Sequence, residues 1–251
     1  YASNEVSPVK DRQVIIVDKY EPVTFDLRLV PNREYRFVVF ADFVDQGASN
    51  DPSFTTQNEL GLHYSLGYDL RTITVKEDKD AINQEYTDAY FDFEEFTISN
   101  SAAKDMVLTR PFGKVRVIAT DLDQLNINVD PGKVVVTYDE AHVAAFNAVT
   151  GTIDKEQRLT RVVYENAYAE AATKENLSAH YYNAGYDAEK VANANGVERH
   201  KYMTLFTDYI LAEDNQHTIH FTMEVFDKAG TPIKKTHFNT DIPVERNNLT
   251  T

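Results

Sequence analysis

Thr218-Ile219-His220-Phe221-Thr222-Met223-Glu224-Val225 alternates polar and apolar side chains without a break. A period of two puts Ile219, Phe221, Met223 and Val225 on one face of a β-strand and Thr218, His220, Thr222 and Glu224 on the other. Asp227 to Gly230 then supplies turn residues, so a hairpin partner is expected from Pro232 to Phe238. The same period governs Val23 to Leu29, where Val23, Phe25, Leu27 and Leu29 oppose Thr24, Asp26 and Arg28, and a strand is expected there too. These stretches decide for an all-β chain.

Continuous apolar runs at Tyr35 to Phe43 and Tyr202 to Leu211 suit strands covered on both faces. Shorter runs, at Val14 to Val17, Met106 to Leu108, Val115 to Ala119 and Val134 to Tyr138, add further strands. Many short strands with polar turns between them predict β-sandwich architecture. Helical periodicity is confined to roughly Tyr164 to Glu175, where alanines favour helix and Tyr164 and Tyr168 stand at i, i+4, so at most one short helix is expected. Gln46 to Asp69 and Thr152 to His200 read as long excursions from the core. The Pro111-Phe112-Gly113 step separates two strand groups and sets expected domains at 1–111 and 112–251.

Forty acidic against 25 basic side chains give a net charge of −15 over 251 residues, which repels phosphate backbones and anionic lipid. Nucleic acid and acidic membranes are therefore poor partners, and the charge reads as solubility and colloidal repulsion. The absence of cysteine removes disulfides, thiolate nucleophiles and sulfur-ligated metals together. No apolar run approaches the roughly 20 residues that cross a bilayer. The chain opens at Tyr1 with no basic, apolar leader ahead of it, so the gene product is expected to begin earlier.

Catalytic spacing is weak throughout. His217 and His220 are three apart, an odd offset that sends them to opposite faces of the strand and away from a shared metal ion. Asp121, Asp123 and Asp130 start like a calcium loop, without the Gly and distal Glu of that pattern. Glu94 and Glu95 suggest a glycosidase pair, but adjacent strand residues face opposite ways. No phosphate-binding, nucleophile-elbow or zincin motif occurs, so neither catalytic residues, nor a metal, nor a cofactor is expected and the chain reads as a non-enzyme. Tyrosine is the one suggestive excess, with fifteen copies. Tyr164, Tyr168, Tyr181, Tyr182 and Tyr186 are candidate contacts for a host protein or glycan, against the plainer reading that their rings fill a Trp-free core.

Three segments carry a resemblance. Tyr35-Arg36-Phe37-Val38-Val39-Phe40-Ala41-Asp42-Phe43 resembles the first long apolar strand of the Bacteroidales fimbrillins (FimA-like pilins), with Phe40 where that family usually has Trp. Asp105 to Lys114 resembles the family's Leu-x-Arg-Pro-Phe-Ala segment, with Gly113 in place of Ala. Phe238 to Thr251 is similar to its late Ile/Val-Pro-Val-x-Arg-Asn-x-x-Thr element. The order and spacing match across nearly the whole chain.

The resemblance implies two transthyretin-like, Greek-key β-sandwich domains in tandem. It also implies export as a lipoprotein precursor to the outer membrane and assembly into extracellular surface fimbriae once a protease trims the amino-terminal strand. Its expected partners are other fimbrial subunits, as self or mixed polymer, and its role a structural or tip subunit that mediates adhesion. Arg12, ahead of apolar Val14 to Val17, is the candidate processing site. Family members usually continue past the late element into a further strand, so a donor strand, if carboxy-terminal, is expected to lie outside residues 1–251 or to have been cut. The alternative is a non-polymerising surface lipoprotein that binds glycan or host protein through the Tyr-rich region.

Overall fold

The computed structural model describes residues 12–17, 19, 21–44, 61–67, 69–77, 87–100, 103–119, 131–167, 190–192, 198–200, 203–213 and 217–251. They form strands and turns, and no helix is found among them. Two compact units are built, the first from 1–77, 85–111 and 143–158, the second from 78–84, 112–142 and 159–251. The chain thus passes to the second unit after Pro111, while the hairpin at 143–158 belongs to the first.

In the first unit β1 (Arg33–Asp42) pairs antiparallel with β4 (Ala89–Ile98). A second sheet has the order β2 (Tyr64–Leu66), β3 (Ile73–Val75), β7 (Val143–Asn147), β8 (Thr152–Arg158). Rings join the two: Phe91 of β4 meets Phe146 of β7 edge-on at 4.6 Å, and Phe40 of β1 meets Tyr64 of β2 at 5.7 Å. Each buried aromatic contributes on the order of 2–3 kcal/mol through burial.

The second unit contains a four-stranded and a three-stranded sheet. The first has the order β14 (Pro232–Val244), β13 (His217–Asp227), β6 (Pro131–Tyr138), β9 (Val163–Ala167). The other is β12 (Met203–Leu211), β5 (Phe112–Ala119), β15 (Leu249–Thr250), with β15 parallel to β5. Phe206 of β12 and Phe221 of β13, both fully buried, meet at 5.4 Å and fix the face-to-face packing. A small hairpin joins β10 (Lys190–Ala192) to β11 (Glu198–His200).

The β13–β14 hairpin forms where the alternation places it. Ile219, Phe221, Met223 and Val225 are buried, and the turn closes with Gly230 at φ 84° and the Thr231 N–H donating to Asp227 Oδ1 at 2.7 Å.

Five expectations fail. Val23 to Leu29 and Val14 to Val17 carry no strand, because alternation specifies a face but not a partner ladder, and Val23 and Phe25 lie exposed. Met106 to Leu108 contributes only the bridge of Thr109 to Phe91, and Val107 is 80% exposed. Helix is excluded from Val163 to Ala167, which is β9: Tyr164 stands opposite Val136 and buries its ring, so tertiary pairing overrides the alanine preference. Residues 168–175 lie outside the described set. The supposed excursions also hold structure, with β2 inside Gln46 to Asp69 and β8 to β11 inside Thr152 to His200. β8 escaped notice because Thr-Ile-Asp-Lys-Glu-Gln-Arg is almost wholly exposed and has no apolar face.

Candidate functional site

The backbone of β1 is the feature most open to a partner. Phe40 stands opposite Phe91, and Val38 opposite Phe93. Phe91 turns its N–H and C=O away from β1, to Thr109, at 2.8 and 2.9 Å. In an antiparallel ladder the residue facing such a position also points its backbone groups outward, and the pattern recurs every second residue. Val38 and Phe40 therefore aim a donor and an acceptor each at the side of β1 away from β4. Among the described residues no strand is assigned on that side.

Edge strands usually carry devices that block pairing: charge, proline, bulges or shortness. β14 has Lys234, Lys235, Pro243 and two register shifts, β8 is mostly charged, β2 is three residues long, and β12 is bulged between Thr204 and Phe206. β1 has none of these from Phe37 to Ala41. Its sheet is apolar on both faces: Val38 and Phe40 turn toward Phe93 and Tyr64, whereas Phe37 stacks on Phe96 at 4.2 Å.

The described part of the segment that precedes β1 exposes several apolar side chains. Ile15, Val17, Val23, Phe25 and Val30 are all exposed, Val30 by 57%. The Tyr35 hydroxyl holds the backbone of Val30, accepting from its N–H at 3.0 Å and donating to its C=O at 3.2 Å, and the Gln13 amide donates to Asp26 O at 3.0 Å. Arg12 is half-buried at the head of this segment and belongs to no strand.

Of the tyrosines singled out from sequence, Tyr164 is a core residue: its ring packs on Tyr138 at 5.6 Å and is 6% exposed, which removes it as a partner contact. Tyr168, Tyr181, Tyr182 and Tyr186 lie outside the described residues, as do Asp121, Asp123 and Asp130. Glu94 and Glu95 are separate ion pairs on opposite faces, Glu94 with Lys104 at 2.8 Å and Glu95 with Arg36. His217 is exposed, and His220 faces Asp241 at 3.0 Å. No group of three His, Asp or Glu side chains poised to hold a metal is found among the described residues, and no helix there is long and apolar enough to cross a membrane.

Polar clusters in each core went unseen at the sequence level. Asp208, inside the second unit, accepts from the Tyr138 hydroxyl at 2.7 Å and from the Tyr209 N–H at 2.8 Å. Burial pushes its carboxyl up to about 6, and pushes the Tyr138 phenol well up as well. In the first unit burial lifts Asp42 to about 7, with the Lys76 ammonium partly offsetting it. Arg110 grips Asp88 with two hydrogen bonds of 2.8 and 2.7 Å and reaches the Tyr90 hydroxyl at 3.0 Å. Phe112, two residues on, is fully buried in the second unit against Tyr209. The Arg-Pro-Phe step is thus anchored on either side of Pro111. Asp42, Arg110 and Phe112 were visible as members of motif segments, but not their partners, since pairing partners 20 or more residues away leave no local signal.

Compared with known proteins, residues 1–251 match a family model described as a family of unknown function (DUF6562). No curated protein and no solved structure matches the chain.

Proposed function

The chain belongs to DUF6562, a family of unknown function, and from its own features we propose that it is a structural or tip subunit of a bacterial surface fibre, assembled by β-strand addition. The observation that carries this reading is the apolar edge of β1, with Val38 and Phe40 directing backbone groups outward. A strand laid along such an edge satisfies those groups and covers the apolar faces, the physical basis of β-augmentation. The exposed side chains of Ile15, Val17, Val23, Phe25 and Val30 add apolar surface for a neighbouring subunit to cover, and activation by trimming at Arg12 rests on the resemblance. The resemblance to Bacteroidales fimbrillins supports the same reading, with a cell-surface location, other subunits as partners and no catalytic role.

An assembly assay tests it. The precursor, including any leader, is expressed, trimmed with an Arg-specific protease and examined by unboiled gel electrophoresis and negative-stain microscopy. Ladders or filaments that appear only after trimming, with a new amino terminus at Gln13, are expected. A trimmed chain that stays monomeric at all concentrations removes the polymer reading and leaves a non-polymerising surface protein.

A further inference from the structure

Val23 to Leu29 is patterned as a strand and has no ladder in the folded chain. Val23, Phe25, Leu27 and Leu29 alternate with Thr24, Asp26 and Arg28, yet no strand is assigned over these residues, and Val23 and Phe25 are exposed. Among the described residues their backbone receives one hydrogen bond, from the Gln13 amide to Asp26 O. Pro22 and Pro31, which cannot donate to a ladder, bracket the segment. β1 has the complementary deficit. From Phe37 to Ala41 it is regular and uncharged, paired with β4 on one side and, among the described residues, with no strand assigned on the other.

Within one copy the present contacts keep the two apart. The Tyr35 hydroxyl holds both backbone groups of Val30. Tyr35 lies an odd number of residues from Val38 and Phe40, so its side chain leaves β1 through the opposite face of the sheet. Val30 is thereby carried over that face and not beside the open edge. Asn32, at φ 59°, then returns the chain to β1 by donating its N–H to Ile98 O at the end of β4. A segment that departs across the face is turned away from its own edge and is open to another.

We infer that Val23 to Leu29 of one copy adds as a strand to β1 of a second copy. This rests on the strand-addition reading above and names the occupant of the edge. Laid with Val23, Phe25, Leu27 and Leu29 on the face of Val38 and Phe40, the segment extends that apolar layer and satisfies the outward backbone groups. Charge favours the same pairing. Asp26 and Arg28 cancel within the segment and Phe37 to Ala41 carries no charge, so these two surfaces meet without the repulsion that a net charge of −15 imposes on other approaches. Donor segment and receiving edge are different parts of the chain, so the contact is head-to-tail and continues from copy to copy.

The absence of native cysteine makes the contact directly testable. Full precursor carrying Asp26→Cys is mixed with full precursor carrying Val39→Cys, trimmed as above and treated with a short bis-maleimide. Its span covers directly opposed and diagonal cross-strand pairs, about 5–8 Å apart. A covalent dimer joined between residues 26 and 39, assigned by mass spectrometry and much weaker in the untrimmed mixture, is expected. Phe25→Asp, at an exposed position, should leave the melt of the untrimmed chain unchanged and slow assembly at least about tenfold by placing a charge in the apolar layer, while Phe25→Tyr assembles at the parent rate. The cross-link stands as the independent readout should Phe25→Asp fold poorly. Parent filaments without a link between 26 and 39, or with an unchanged rate in Phe25→Asp, overturn this inference and leave assembly to a different donor. A parent that forms no filaments after trimming overturns both this inference and the fibre reading beneath it.

Discussion

Asp208 and Tyr138 show how one buried hydrogen bond shapes the pH response of the second unit. Burial lifts the Asp208 carboxyl from the ordinary 3.8 to about 6, so the folded chain holds that proton more tightly than the unfolded one. The stability this confers is complete below about 4 and is lost as pH rises through 6. Asp42 acts in the same direction in the first unit, with its loss centred near 7. Urea unfolding at pH 8 and pH 5 should show the parent gaining about 1–2 kcal/mol more on acidification than an Asp208→Asn variant. General charge repulsion relaxes equally in both chains and cancels from that difference. Tyr138→Phe leaves the carboxylate without its hydroxyl donor and should cost about 1–3 kcal/mol at pH 8 and less at pH 5, where the proton substitutes for the lost bond. None of this was legible in the sequence. Asp208 sits in the apolar run Tyr202 to Leu211 as a lone acid, and Tyr138 lies 70 residues away.

Among the elements, those with a buried face on one side were the legible ones. β13 alternates because its inner residues pack on β12 and its outer ones meet water, and the hairpin turn follows from Asp227 and Gly230. Val23 to Leu29 has the same alternation and no strand, since no ladder receives it. β15 could not be read from two residues, Leu249 and Thr250, and its place depends on β5. At Gly113 in β5 an added methyl would lie 2.6 Å from Val244 Cγ1 and 2.8 Å from Glu245 O, so the backbone after β14 approaches too closely for a side chain. Gly113→Ala, the residue usual in fimbrillins, is expected to destabilise this chain by about 1–3 kcal/mol in thermal or urea melts. On β1, Val38→Pro removes an N–H that faces away from β4, so the ladder keeps its bonds. A fold that survives within about 2 kcal/mol together with loss of trimming-dependent filaments is the expected outcome. Filaments that persist in that variant would place assembly elsewhere.

For the whole molecule, charge and connectivity decide what local reading cannot. A net charge of −15 makes neighbouring copies repel, so assembly after trimming should accelerate as salt rises from about 10 to 150 mM and the screening length falls from roughly 30 to 8 Å. Light scattering during the reaction measures it, and a rate that falls with salt would point to attraction between charged patches instead. The sequence by itself determined that the chain is all-β and where its core hairpin turns, because alternation and turn chemistry are local properties. Only the tertiary structure decided that residues 143–158 return to the first unit, that β15 runs parallel to β5 and that Tyr164 fills a core. Each of these depends on which distant strand supplies the ladder, and strand pairing is a free-energy choice among remote partners that no single segment encodes.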